Sequence, residues 1–211
     1  ADTNTGFYRV GSDKIGTVVG GSLKTTLTST GLGIGTSSPT SPLHITGSGH
    51  TALTITGGAS SDAQIRFGDS ANTTIGMINY DNAANALKFV VNGSSAARID
   101  SSGNMGIGVT PEAWHSNATA LQVGDLGALW VYDDNSNPEQ LVLSENVYNN
   151  GEERYIQTDY ASAHTQRHGV HTFKVAPSGS ADAAISWNTA MTINNSGNVG
   201  IGTSSPSEKL D

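Results

Sequence analysis

Three histidines, His164, His168 and His171, fall within eight residues. Such a group could ligate zinc through its imidazole nitrogens. On one continuous strand, however, residues 164 and 168 share a face and 171 points the other way. On a loop the spacing fixes nothing. The stretch reads as a polar loop, Ala161 to Gly169, and no metal site is assigned. The adjacent carboxylates Asp133-Asp134 and Glu152-Glu153 could in principle cleave a glycosidic bond. Neighbours on a strand face opposite ways, and both pairs border turn signals, so no catalytic residue is assigned. The chain has no Gly-x-Ser-x-Gly elbow. Its Gly-x-Gly spacings lack the strand-then-helix setting of a nucleotide site. We therefore expect no enzyme and no cofactor.

Aromatic side chains are the better binding signal. Trp114, Trp130, Trp187, Tyr132, Tyr148, Tyr155 and Tyr160 all lie in the second half of the chain. Tyr and Trp supply large contact area at low entropic cost, beside a polar tip. Trp130 and Trp187 are assigned to a core. Tyr148, Tyr155 and Tyr160, near turns or acids, stay open between core and ligand. The candidate ligand-binding set is Tyr132, Asp133, Asp134, Tyr148, Tyr155, Tyr160, His164 and His168.

The elements that would carry these residues are strands. No stretch of eleven or more residues shows helical apolar spacing, whereas short alternating runs are plentiful. One meander is expected over Gln64–Ile65–Arg66–Phe67, Thr74 to Tyr80, Ala86 to Val91 and Ala96 to Asp100, with Asn92-Gly93 as a two-residue hairpin. A larger one is expected over Ala128 to Tyr132, Gln140 to Tyr148, Glu153 to Tyr160, Val170 to Val175, Ile185 to Trp187 and Ala190 to Ile193. Asn149-Asn150-Gly151 is read as another hairpin turn.

Each meander runs into the same glycine-centred phrase. It reads Gly31-Leu32-Gly33-Ile34-Gly35-Thr36-Ser37-Ser38-Pro39, then Gly103-Asn104-Met105-Gly106-Ile107-Gly108-Val109-Thr110-Pro111, then Gly197-Asn198-Val199-Gly200-Ile201-Gly202-Thr203-Ser204-Ser205-Pro206. Repeats of this kind imply a string of related units. Glycine permits close backbone approach, so we expect a constriction where Ile34, Ile107 and Ile201 from three chains meet on a threefold axis. The expected divisions are a connector over 1–45, a meander unit over 46–111, a larger unit over 112–192 as receptor-binding head, and a terminal neck over 193–211.

Composition bounds the rest. Glycine, serine, threonine and asparagine make up more than two fifths of the 211 residues, and Leu, Ile, Val and Phe about one fifth. That is the edge of what folds alone, so a core completed by other chains is expected. A net charge of −8 argues against nucleic acid. No apolar run approaches a membrane span, and cysteine is absent. A start at Ala1 suggests a processed product or a fragment.

The pattern Ile193-x-x-Ser196-Gly197-Asn198-Val199-Gly200-Ile201-Gly202-Thr203-Ser204-Ser205-Pro206-Ser207-x-x-Leu210 resembles a phrase common in bacteriophage tail fibre and tailspike proteins, where it often precedes a self-cleaving intramolecular chaperone domain. The opening Ala1-Asp2-Thr3-Asn4-Thr5-Gly6-Phe7-Tyr8-Arg9, with Lys14-Ile15-Gly16, is similar to another segment of these fibres. The resemblance implies an all-β, elongated, intertwined homotrimer of small β-meander units joined by glycine-rich necks. It further implies a place in the virion tail, outside the cell, with other tail proteins as neighbours. The partner would be a bacterial cell-surface polysaccharide or outer-membrane component. A chaperone domain after Asp211 would have been removed or left out. The alternatives are a glycan-depolymerising tailspike fragment and a bacterial trimeric adhesin stalk.

Overall fold

A computed structural model describes residues 4–133 and 139–210. Among the described residues every regular element is a strand, so the chain is all-β. It divides after Thr54 into two units.

The first unit is a five-stranded sheet. Its strands are β1 (Gly6–Gly11), β2 (Lys14–Val19), β3 (Ser22–Leu27), β4 (Leu32–Ile34) and β5 (Leu43–Ile45), neighbours in that order.

The second unit carries a twelve-stranded sheet. One side of it is β6 (Ala63–Phe67), β7 (Gly76–Asp81), β8 (Ala86–Val91), β9 (Ser94–Ile99) and β10 (Met105–Ile107). The sheet continues through β11 (Ala118–Val123), β12 (Gly127–Tyr132) and β13 (Gln140–Glu145). The short strands β14 (Val147–Asn149) and β15 (Glu153–Tyr155) leave it to pair with each other. The large sheet resumes with β16 (Asp159–Arg167), β17 (Val170–Gly179), β18 (Asn188–Ile193) and β19 (Val199–Ile201). The expected loop over Ala161 to Gly169 is thus mostly strand. The expected strand over Glu153 to Tyr160 is broken in two, and Ile185 to Trp187 is not a strand.

The glycine phrases explain themselves locally. Each forms a three-residue strand, β4, β10 or β19, that turns back antiparallel on its predecessor through Leu27↔Leu32, Ile99↔Met105 or Ile193↔Val199. In the second and third copies one side chain shapes the turn. Asp100 Oδ1 accepts from the amides of Ser102 and Asn104, both at 2.9 Å. Asn194 Oδ1 accepts from Ser196 and Asn198 at 3.0 and 2.9 Å. The first copy is one residue shorter, and Thr28 Oγ1 does the same work for Thr30 and Gly31. These are local side-chain-to-backbone turns of the kind Asp, Asn and Thr favour.

The central glycine of each phrase is buried because the chain folds back over it. A methyl at Gly106 would collide with the Val109 carbonyl, one at Gly33 with Thr36, and one at Gly200 with Thr203. The close approach seen at these glycines is within one chain. β10 pairs antiparallel with β9 and parallel with β11, through Met105↔Leu121, so residues on both sides of 111 belong to one sheet. The same parallel return gives Leu32↔Leu43 in the first copy and Val199↔Leu210 in the third.

The core lies on one face of the large sheet. Ala118, Ala120, Ala128, Val142, Ala161 and Ala163 point there, and their small side chains leave room for Trp114, Trp130, Tyr148 and Tyr155. Trp114 and Trp130 pack with ring centroids 5.7 Å apart, and Trp114 meets Tyr148 edge-on at 6.4 Å. β14, β15 and Trp114 form the cover. Trp187, expected in the core, is half-buried against this cluster.

Candidate functional site

The other face of the large sheet exposes large apolar side chains, and a row of them crosses it from end to end. Directly opposed residues on neighbouring strands point the same way. Following the register across all twelve strands gives one row: Ala63, Tyr80, Leu87, Ile99, Met105, Leu121, Leu129, Leu143, His164, Phe173, Met191 and Ile201. A second row, two residues along each strand, contains Ile65, Ile78, Phe89, Ala97, Ile107 and Val123. Much of this surface is open: Leu143 is 60% exposed, Ile201 69% and Val123 51%.

At strand spacing of about 4.8 Å, the row runs on the order of 50 Å across the sheet. The first unit repeats the theme on its own sheet, where Ile15, Leu27, Leu32 and Leu43 are opposed in sequence and Ile34 stands beside Ile45. Ile34, Ile107 and Ile201 each point away from the buried side of their glycine and are exposed in the single chain.

The row has one imidazole rung. His164 lies flat on Phe173, and its Nε2 is 3.1 Å from His171 Nδ1. The pairing of His164 with His171, not with His168, corrects the single-strand reading. A two-residue turn at His168-Gly169 (φ 52° and 76°) folds β17 back on β16. Thr165 then opposes Thr172, and His171 returns to the face of His164. His168 stands at the turn.

The remaining candidate residues scatter. Tyr148 and Tyr155 are buried in the core. Tyr148 donates to Asp182 Oδ1 at 2.9 Å, and Tyr155 donates to the Pro177 carbonyl at 2.6 Å. Their rings are internal packing and do not face a surface ligand. Burial, reinforced by Asp182, pushes the Tyr148 phenol up to about 12. Tyr132 is half-buried with its ring 5.5 Å from His115. Tyr160 is 68% exposed. Asp133 follows β12, its amide donating to the Asn117 carbonyl, and Asp134 lies outside the described residues.

Of the acidic pairs, Glu152 pairs with Arg154, while Glu153 accepts from the Trp187 indole and stands 3.9 Å from Lys174. Burial raises Glu112, with Asp182 adding to the shift. Among the described residues no three His, Asp or Glu side chains are grouped to hold a metal ion. The seven described candidates are spread over the core, the surface and a turn, while the apolar rows form a continuous surface. No protein-family model and no curated protein matches the chain.

Proposed function

We propose that the chain is a structural and host-attachment segment of a phage tail fibre, working as a homotrimer whose three copies turn their apolar sheet faces inward. The observation that carries this reading is the unbroken row from Ala63 to Ile201. Soluble monomers rarely expose a contiguous apolar patch beyond about 300–600 Å², and this face spans twelve strands. Its shape also matters. The stripe is long across the strands and narrow along them, so rotation about an axis parallel to the stripe covers it in every copy at once. Such closed symmetry leaves no open edge of apolar surface.

In that arrangement Ile107 and Ile201 point inward, and the opposite sheet face, with its loops, remains outward for a cell-surface ligand. The glycine-phrase resemblance to tail fibres supports the threefold count. Weak single contacts would be strengthened by having three linked sites per fibre. The deciding experiment is mass in solution by light scattering. About 65 kDa, three times 21.7 kDa, is expected, and a 22 kDa species overturns the reading.

A further inference from the structure

The sheet face opposite the apolar row carries a hollow of about 430 Å³ where β16 and β17 approach their turn. It lies beyond Ala161 and Ala163, the last β16 residues in the aromatic core, over Thr165 and Arg167. Its size is in the range of small-molecule sites, about 300–1,000 Å³. Three things set it apart. Its floor is a pair of opposed threonines, Thr165 and Thr172. Thr165 is 4% exposed, and its hydroxyl has no hydrogen-bond partner. Buried hydroxyls left unpaired cost stability and are uncommon.

The second feature is charge. Arg167 and Lys174 both line the hollow, on a chain of net charge −8. Lys174 also stands 3.9 Å from Glu153, a long ion pair that leaves its ammonium donors room for a second acceptor. The third is the polar rim. The Gln140 amide and the His168 imidazole line it too, beside the apolar Val170, and Lys174 stands 5.7 Å from the Trp187 ring centre.

We propose that this hollow binds an acidic saccharide unit, with Arg167 and Lys174 on its carboxylate or phosphate and Gln140, Thr165 and Thr172 on its hydroxyls. Arg offers a planar fork matched to carboxylate and phosphate, and charge-assisted hydrogen bonds are the strong ones. Hydroxyls and an amide suit the remaining sugar oxygens. The inference rests on the attachment reading above, because it places the ligand on the face that reading leaves outward.

The test uses the whole chain and saturation-transfer NMR titrations. The probes are trigalacturonate (a carboxylate source), mannose 6-phosphate (a phosphate source), maltotriose (neutral) and inorganic phosphate. At least one acidic sugar is expected to bind with a Kd about tenfold or more below that of maltotriose; which one binds identifies the anion. Arg167→Gln with Lys174→Gln should weaken it at least about tenfold. Thr165→Val gives a second readout. Removing an unpaired hydroxyl should raise the unfolding temperature of the free chain while weakening the acidic sugar.

Equal binding of maltotriose, unchanged binding by the double variant, or inorganic phosphate binding as tightly as mannose 6-phosphate each overturns the proposal. Sedimentation with encapsulated and capsule-free bacterial cells, together with the solution mass, reads the attachment reading separately. A trimer that attaches to cells but ignores every acidic probe sinks only the hollow. A monomer that binds acidic sugar sinks only the fibre reading.

Discussion

His164 and Phe173 stack with ring centroids 4.4 Å apart and planes within 2° of parallel. The stack lets an imidazole occupy a rung of the apolar row without interrupting it. Its polar edge is turned toward His171 and its flat face toward carbon. Leu143 opposes it on the other side, so the row stays apolar on both sides of the imidazole.

Leu129→Asp should dissociate the assembly. The residue opposes Leu121 and Leu143 and is 44% exposed in the single chain, so the substitution is compatible with the folded monomer. In the trimer it would bury a carboxylate in each copy without a partner, which is strongly unfavourable. Light scattering should report a fall from about 65 kDa to 21.7 kDa, with strand content by circular dichroism retained. A trimer that survives the change would refute the inward placement of the row.

Two glycines of the second phrase should fail for different reasons. Gly106→Ala drives a methyl into the Val109 carbonyl and Pro111, an overpacking cost of about 1–3 kcal/mol. Gly108→Ala meets open space, but its φ of 72° costs an L-residue about 1–2 kcal/mol. Gly108→Asn, which tolerates that conformation, should recover much of the second loss, while Gly106→Asn should be worse than Gly106→Ala. Thermal unfolding of the four variants checks this.

Legibility in the sequence was uneven, for identifiable reasons. Asn92-Gly93 announced its hairpin, and both residues adopt positive φ, 51° and 74°. The exact recurrence of Gly-x-Gly marked places of close approach, although the crowding atoms come from the same chain. β16 went unrecognised because its covered positions are Ala161, Ala163 and Thr165. Ala161 and Ala163 are small because they sit beneath large rings, Thr165 lies under the hollow beyond them, and small residues carry little hydrophobic signal. Its turn was missed because His168-Gly169 lacks the usual Asn or Asp in first place. The apolar rows could not be read at all without the register. Each strand contributes only one or two of their members, and pairings as distant as Leu143↔His164 join them.

Tyr148 should make the fold sensitive to alkali. Its folded pKa, about 12, lies above the ordinary phenol value of about 10. The raised value means that its contribution is fully present below pH 10 and is lost as pH rises through 12. Tyr148→Phe removes this dependence and the bond to Asp182. Urea midpoints measured between pH 9 and pH 12 should slope down for the natural chain and run flatter for the variant.

Asp81 should act at the acid end. Its side-chain hydrogen bond with Lys88, at 2.7 Å, and the Ala84 amide hold its carboxyl below the usual range. A depressed pKa gives stability that is present above the unfolded value, about 3.9, and lost as pH falls through the folded one. Asp81→Asn keeps an acceptor for Ala84 but loses the charge. Its urea midpoint should change less than that of the natural chain between pH 5 and pH 2.5.

The direction of the apolar row, across strands and not along them, has a consequence for how such a chain can vary. A whole hairpin adds two rungs, about 10 Å, and leaves the inside-outside parity of every other strand untouched. A single inserted residue within a strand would turn the rest of that strand's side chains over. Length can thus be gained or lost in hairpin increments while the interior stays continuous, and the outward loops are free to diverge independently of it.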